Sequence, residues 1–92
     1  MKQLPRIETN DRNELYTKYV NVIMNAMFIA TQFIFNEDLE YYPCFILNGR
    51  VLNLNREGIE ESFQNMLQYF TDQEEYEKCK ILTDLNKKWN II

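Results

Sequence analysis

From Tyr19 to Asn36 the chain carries no charged residue. Apolar side chains recur there and just before it at steps of three and four: Leu15, Tyr19, Val22/Ile23, Ala26/Met27, Ala30 and Phe33/Ile34. This spacing predicts a helix over 11–35, on the order of 37 Å long at a rise of about 1.5 Å per residue. From Val20 onward apolar residues also occupy other faces, among them Met24, Met27, Phe28 and Phe35, so the helix has to be buried on several sides. A chain of 92 residues has only a modest core to offer it. The flank Val20, Met24 and Phe28 is therefore expected to form a contact between two copies, making a homodimer. Asn21, Asn25, Thr31, Gln32 and Asn36 interrupt the stretch, which reads as a buried helix and not as a membrane span.

The remaining elements follow from local signals. Residues 1–10 form an extended lead-in, and Asp11 with Glu14 makes a helix-start box. After an acidic break at 36–40, two β-compatible runs flank Asn48-Gly49, the pair best suited to the positive φ angles of a type I′ turn, which predicts a hairpin over 43–54. Asn55 is placed to cap a helix over 56–70 with the stripe Ile59, Phe63, Met66/Leu67 and Phe70. Thr71-Asp72-Gln73-Glu74 is a second start box, opening a helix over 72–89. The expected fold class is α+β, mostly helical, in the order α-β-β-α-α, with one β-hairpin packed on three helices in one domain, 1–92.

Few residues in this chain suit catalysis. There is no histidine, hence no imidazole base or metal ligand. Cys44 and Cys79 are too far apart for a zinc motif and read as reduced thiols without an activating base. Gly49 and Gly58 make no phosphate loop. Glu57 with Glu60 or Glu61 can share a helix face, but nothing around them suggests the cleft that paired catalytic carboxylates need. A non-enzyme without cofactor or metal is expected. Met1-Lys2-Gln3-Leu4-Pro5-Arg6 has no apolar run of a signal peptide, which gives a cytoplasmic expectation.

Charge is strongly partitioned. The net charge of −4 conceals +1 over residues 1–36, −8 over 37–77 and +3 over 78–92. The acids of the middle block are Glu37, Asp38, Glu40, Glu57, Glu60, Glu61, Asp72, Glu74, Glu75 and Glu77, opposed by Arg50 and Arg56 alone. Helix starts account for Glu57, Asp72, Glu74 and Glu75, since carboxylates favour the positive end of the helix dipole. They do not account for Glu60, Glu61 or the 37–40 loop. Duplex DNA carries about one charge per 1.7 Å of axis, and carboxylates set along helices can approximate that row. Such a protein would bind no nucleic acid itself and would occupy the basic groove of a DNA-binding partner.

The small size, the acid-rich span Glu57–Glu77, the Asn48-Gly49 hairpin and a residue usage typical of AT-rich genomes together resemble the Arn family of T-even phage anti-restriction proteins. The resemblance implies a dimeric DNA mimic that inhibits a host restriction endonuclease, the modification-dependent enzyme McrBC, with the ten middle-block acids as its binding residues. It requires Lys78, Lys80, Lys87 and Lys88 to face away from the mimicking surface. The alternative is an inhibitor or adaptor that binds another protein through aromatic residues such as Tyr41, Tyr42, Tyr69 and Phe70. Phe33, Phe35, Phe45, Phe63, Phe70 and Trp89 are assigned chiefly to the core.

Overall fold

A computed structural model describes residues 3–92 as four helices and a three-stranded mixed sheet, an α+β fold that is mostly helical. The elements are β1 (Arg6–Ile7), α1 (Arg12–Thr17), α2 (Val20–Asn36), β2 (Tyr41–Leu47), β3 (Arg50–Asn55), α3 (Ile59–Asp72) and α4 (Tyr76–Trp89). β2 is central, parallel to β1 and antiparallel to β3. α2 lies between this sheet and the α3–α4 pair.

The two sides of α2 are built differently. Toward the sheet it presents the small side chains of Ala26 and Ala30, which bring its backbone close to Cys44. Toward α3 and α4 it presents Phe28, Ile34 and Phe35, which bury against Ile59, Phe63, Met66, Phe70, Leu82 and Leu85. Phe28 meets Phe70 edge-on at 5.4 Å between ring centroids. Thr31, the one buried polar residue in this interior among the described residues, gives its hydroxyl proton to the Met27 carbonyl at 2.7 Å, whereas the buried indole N–H of Trp89, packed on the same core, has no partner. This arrangement corrects the expected dimer contact. Phe28 is buried within its own chain, Met24 packs on the same core, and Val20 is half-buried. The many-sided burial of the helix is met by a sheet on one side and two helices on the other.

The expected lead-in over 1–10 includes a strand; its first two positions lie outside the described residues. Ile7 is buried, and β1 pairs with β2 in the register Arg6↔Ile46 and Ile7↔Leu47. The helix expected over 11–35 is two helices. Asp11 caps α1 as anticipated, its carboxylate accepting from the Asn13 N–H at 2.9 Å. The ladder then slips at Lys18 and Tyr19, both of whose N–H groups reach the Glu14 carbonyl. α1 buries no residue of its own, so nothing holds it in line with α2.

The hairpin turn has both predicted positive φ angles, 48° at Asn48 and 81° at Gly49. The strands are longer than the expected 43–54, running from Tyr41 to Asn55, and a bulge between Pro43 and Phe45 places the extra residue on β2. Asn55 is therefore a strand residue paired with Tyr41, and Gly58, at φ 75°, stands at the head of α3 in its place. The Thr71–Glu74 box is not a helix start either. α3 continues through Thr71 to Asp72, and α4 begins at Tyr76.

Asn48 has a second task that turn chemistry does not reveal. Its side chain accepts from the Thr9 N–H and donates to the Thr9 carbonyl, both at 2.9 Å, while its backbone N–H donates to Ile7 at 2.9 Å. The turn thus clamps the N-terminal segment onto the sheet. Asn48→Gly keeps the turn and loses both side-chain bonds, so it should lower stability by about 1–2 kcal/mol. Asn48→Asp keeps the acceptor and should lose roughly half as much. Chemical denaturation of the three proteins checks the order.

Candidate binding surfaces

The middle-block acids occupy two groups at opposite ends of α3. The first comprises Glu37, Asp38, Glu40, Glu57, Glu60 and Glu61. It is drawn together by Arg56, whose N–H donates to the Glu40 carbonyl at 2.8 Å and whose guanidinium pairs with Asp38. That guanidinium also lies 5.0 Å from the Phe35 ring centroid and 5.5 Å from that of Trp89, so it is held between aromatic faces. The second group, Asp72, Glu74, Glu75 and Glu77, surrounds the α3–α4 turn. About 16 Å of helix separates Glu61 from Asp72, and the solvent side of that helix between them is neutral, with Gln64, Asn65 and Gln68 exposed. The ten acids do not form one continuous surface.

Nine of the ten are exposed, and Glu75 is half-buried. Among the described residues only Asp38 and Glu75 have basic partners, Arg56 and Lys78. Glu37, Glu40, Glu57, Glu60, Glu61, Asp72, Glu74 and Glu77 are left without one.

The four lysines divide. Lys78 is turned inward. Its ammonium donates to Asn25 and to Glu75 and lies 5.1 Å from the Phe70 ring centroid and 5.9 Å from that of Phe28. Lys80, Lys87 and Lys88 are exposed on α4. Trp89, next to Lys88, lines the same shallow cleft as Arg56 and Glu60. The requirement that the lysines keep clear of the acids is therefore not met: Lys78 pairs with Glu75 at the α3–α4 turn, and Lys88 stands beside the cleft that Glu60 lines.

The relation of the acids to helix ends is the reverse of what the sequence suggested for several of them. Glu60 and Glu61 lie in the first turn of α3, Glu75 stands at the N-cap of α4 and Glu77 lies in its first turn, all places where the dipole favours a carboxylate. Glu37, Asp38, Asp72 and Glu74 stand instead at helix C-termini. Asp38 and Glu74 are moreover left-handed, at φ 53° and 58°. Each is the pivot of a helix-terminating turn: Leu39 N–H returns to Ile34 at 2.7 Å, and Glu75 N–H returns to Phe70 at 2.8 Å. Such pivots favour glycine or asparagine, because a side chain in the left-handed region costs about 1–2 kcal/mol.

A second surface is apolar. Val22, Ile29 and Phe33 form a stripe on α2 that neither the sheet nor α3 covers, each between 37% and 41% exposed. With Leu4, Pro5, Tyr42 and Pro43 it lines a groove of about 490 Å³. Phe33 lies flat on Tyr42, with ring centroids 4.5 Å apart and planes 2° from parallel. Phe33, assigned to the core from sequence, belongs to this surface, while Phe35, Phe63 and Phe70 are core and Phe45 and Trp89 are half-buried. Of the aromatic residues expected to meet a partner, Tyr41 is exposed and Tyr42 sits in the groove. Phe70 is fully buried, and Tyr69 packs on the core with its hydroxyl accepting from Asn21. The signal for the groove was the uncharged third face of α2, which the sequence attributed to Val20, Met24 and Phe28.

No group of three or more metal-ligating side chains occurs among the described residues, and no helix there is long and apolar enough to cross a membrane. Comparison with protein-family models, with curated proteins and with solved structures found no match.

Both cysteines are free thiols. Cys44 is buried between α2 and the sheet, and burial pushes its thiol up to about 12 from the ordinary 9.0. Cys79 is half-buried, 3.4 Å from the Thr71 hydroxyl. A thiol reagent should label Cys79 in the native protein and reach Cys44 only on unfolding. Because the folded-state value is the higher one, the contribution of Cys44 to stability is full below the unfolded value of 9.0 and is lost as pH rises toward 12. Denaturation curves of wild type and Cys44→Ala across the alkaline range should converge accordingly.

Proposed function

We propose that this chain is a non-catalytic, cytoplasmic inhibitor that occupies the basic DNA-binding groove of a nucleic-acid enzyme, leading with the acidic turn between α3 and α4. A modification-dependent restriction endonuclease of the McrBC type is the first target to test. The observation that carries the reading is Glu74. This carboxylate is exposed, without a basic partner and left-handed, so its own turn disfavours it, while the negative end of α3 behind it and the positive end of α4 ahead of it act in opposite directions. Asp72, at the same helix end, is disfavoured once. Residues that break local rules without local compensation are characteristic of binding sites. Such a surface attracts a basic groove strongly at low salt and weakly at high salt.

Glu74→Gly separates folding from binding. It should raise the free energy of unfolding by about 1 kcal/mol while weakening inhibition. Asp72→Asn with Glu77→Gln should weaken inhibition without the gain in stability. Titration of the enzyme with the protein, in the presence and absence of duplex DNA, supplies the readout. An enzyme that holds DNA and the protein at once, without competition, defeats the reading.

A second reading, an adaptor or inhibitor that binds through aromatic side chains, is favoured by the groove along α2, which Phe33 and Tyr42 line, and by the exposure of Tyr41 elsewhere on β2. Aromatic side chains next to an apolar depression supply much of the energy of protein–protein contacts. On this reading Tyr41→Ala and Ile29→Asp abolish capture of the partner, whereas the Asp72/Glu77 change leaves it within about twofold. Affinity measured for both sets decides between the two.

A further inference from the structure

The N-terminal segment is fastened to the molecule differently from everything that follows it. Among the described residues, neither buried cluster contains a residue before Met24. Ile7 is the one buried side chain of residues 3–17, and it belongs to neither cluster. β1 lies against β2 and α1 against α2, and α1 buries nothing. The polar attachments are local too. Pro5 accepts from the Ile46 N–H at 2.8 Å, Ile7 accepts from the Asn48 N–H, and the Asn48 side chain exchanges two bonds with Thr9. The parallel ladder cannot extend toward the start of β2. Its next rung would need an N–H at position 5, and proline has none.

The same segment is tied to itself. The Thr9 hydroxyl donates to the Glu14 carboxylate and accepts from the Asp11 N–H, Asp11 caps α1, and the Thr17 hydroxyl donates to the Asn13 carbonyl. None of these bonds reaches past Thr17, so all survive when the segment swings away as a body. Its hinge is the slip in the helical ladder at Lys18 and Tyr19. Beyond the hinge, α2 is held by the core and by the Asn21 side-chain amide, which donates to the Tyr69 hydroxyl at 2.9 Å.

We infer that residues 3–17 are a strap that opens as a unit about Lys18 and Tyr19 while the rest of the sheet and α2, α3 and α4 stay folded. Opening exposes one buried side chain, Ile7, whereas global unfolding exposes the ten buried residues of the larger cluster, so the strap opens at a much smaller cost. The open form bares the edge of β2 that β1 covers and withdraws Leu4 and Pro5 from the wall of the α2 groove. The closed strap therefore shields a strand edge from pairing and narrows the groove. Opening uses none of the ten middle-block acids.

Amide hydrogen exchange of the full chain, followed residue by residue over a series of low denaturant concentrations, tests it. The Ile46 N–H reports on the strap, and the Phe63 and Met66 N–H groups of α3 report on global unfolding. Ile46 should be the less protected, and its protection should change little with denaturant, because the slope scales with the surface that opening exposes. Two variants separate the two events. Asn48→Gly removes the clamp on Thr9 and should speed exchange at Ile46 by about fivefold to thirtyfold. Ile59→Val loosens the larger cluster alone and should speed exchange at Phe63 and Met66 by about twofold to tenfold while leaving Ile46 unchanged. The strap is refuted when Ile46 matches Phe63 and Met66 in protection and slope and Ile59→Val speeds all three alike. It is refuted equally when Ile46 exchanges early but Asn48→Gly leaves its rate where it was, since the opening then lies within the β2–β3 hairpin.

Discussion

The contact between α2 and its two neighbours is the one on which the other parts of this molecule depend. Ala26 and Ala30 let the helix settle close to Cys44 on the sheet, while Phe28, Ile34 and Phe35 fill the opposite side against α3 and α4. Sheet and helix pair make the rest of their burial through this one helix. A larger side chain at Ala30, which is fully buried, would lift the helix off the sheet. Lys78 and Arg56 act as outer fasteners. Each lays a cation on two core aromatics and pairs with one carboxylate, so the two half-buried basic groups are spent on holding helices together. Their withdrawal from the surface is one reason the acids are left exposed and unpaired.

Helix endings give the acids their meaning. A carboxylate at a helix start serves the fold, and Glu60, Glu61 and Glu77 can be explained without reference to any partner. Asp38 stands at an ending but has the Arg56 guanidinium to offset it. Glu74 has no such cation, and a glycine would satisfy the same turn with less strain. Counting acids along the sequence treats these positions as equals. Their backbone conformation ranks them, and the ranking moves the functional emphasis from the centre of the acidic block to one end of α3.

The sequence made some of this legible and concealed the rest for identifiable reasons. Asn48-Gly49 fixed a hairpin because its chemistry is local: two consecutive left-handed residues admit few alternatives. The stripe of α3 was legible because one face of that helix is buried and the other wet. Boundaries went astray wherever a local signal competed with a distant one. Asn55 is a good cap by itself, but pairing with Tyr41 kept it in the strand. Thr71 to Glu74 has the letters of a helix start, yet Phe70 and Leu67 hold that turn in the preceding helix, and the chain reverses through Glu74. β1 was read as an unpaired lead-in because two residues carry no periodicity, and their partner lies 40 positions away. For the same reason the wrong face of α2 was assigned to a contact: a helix apolar all round does not declare which third is left over.

That leftover face and the acidic end of α3 obey different physics. Val22, Ile29, Phe33 and the free edge of β3 belong to a part of the molecule almost without charge, where association is favoured by excluding water and satisfying backbone groups, and is insensitive to salt. The acids belong to the rest, where attraction is long-ranged, salt-dependent and selective for sign.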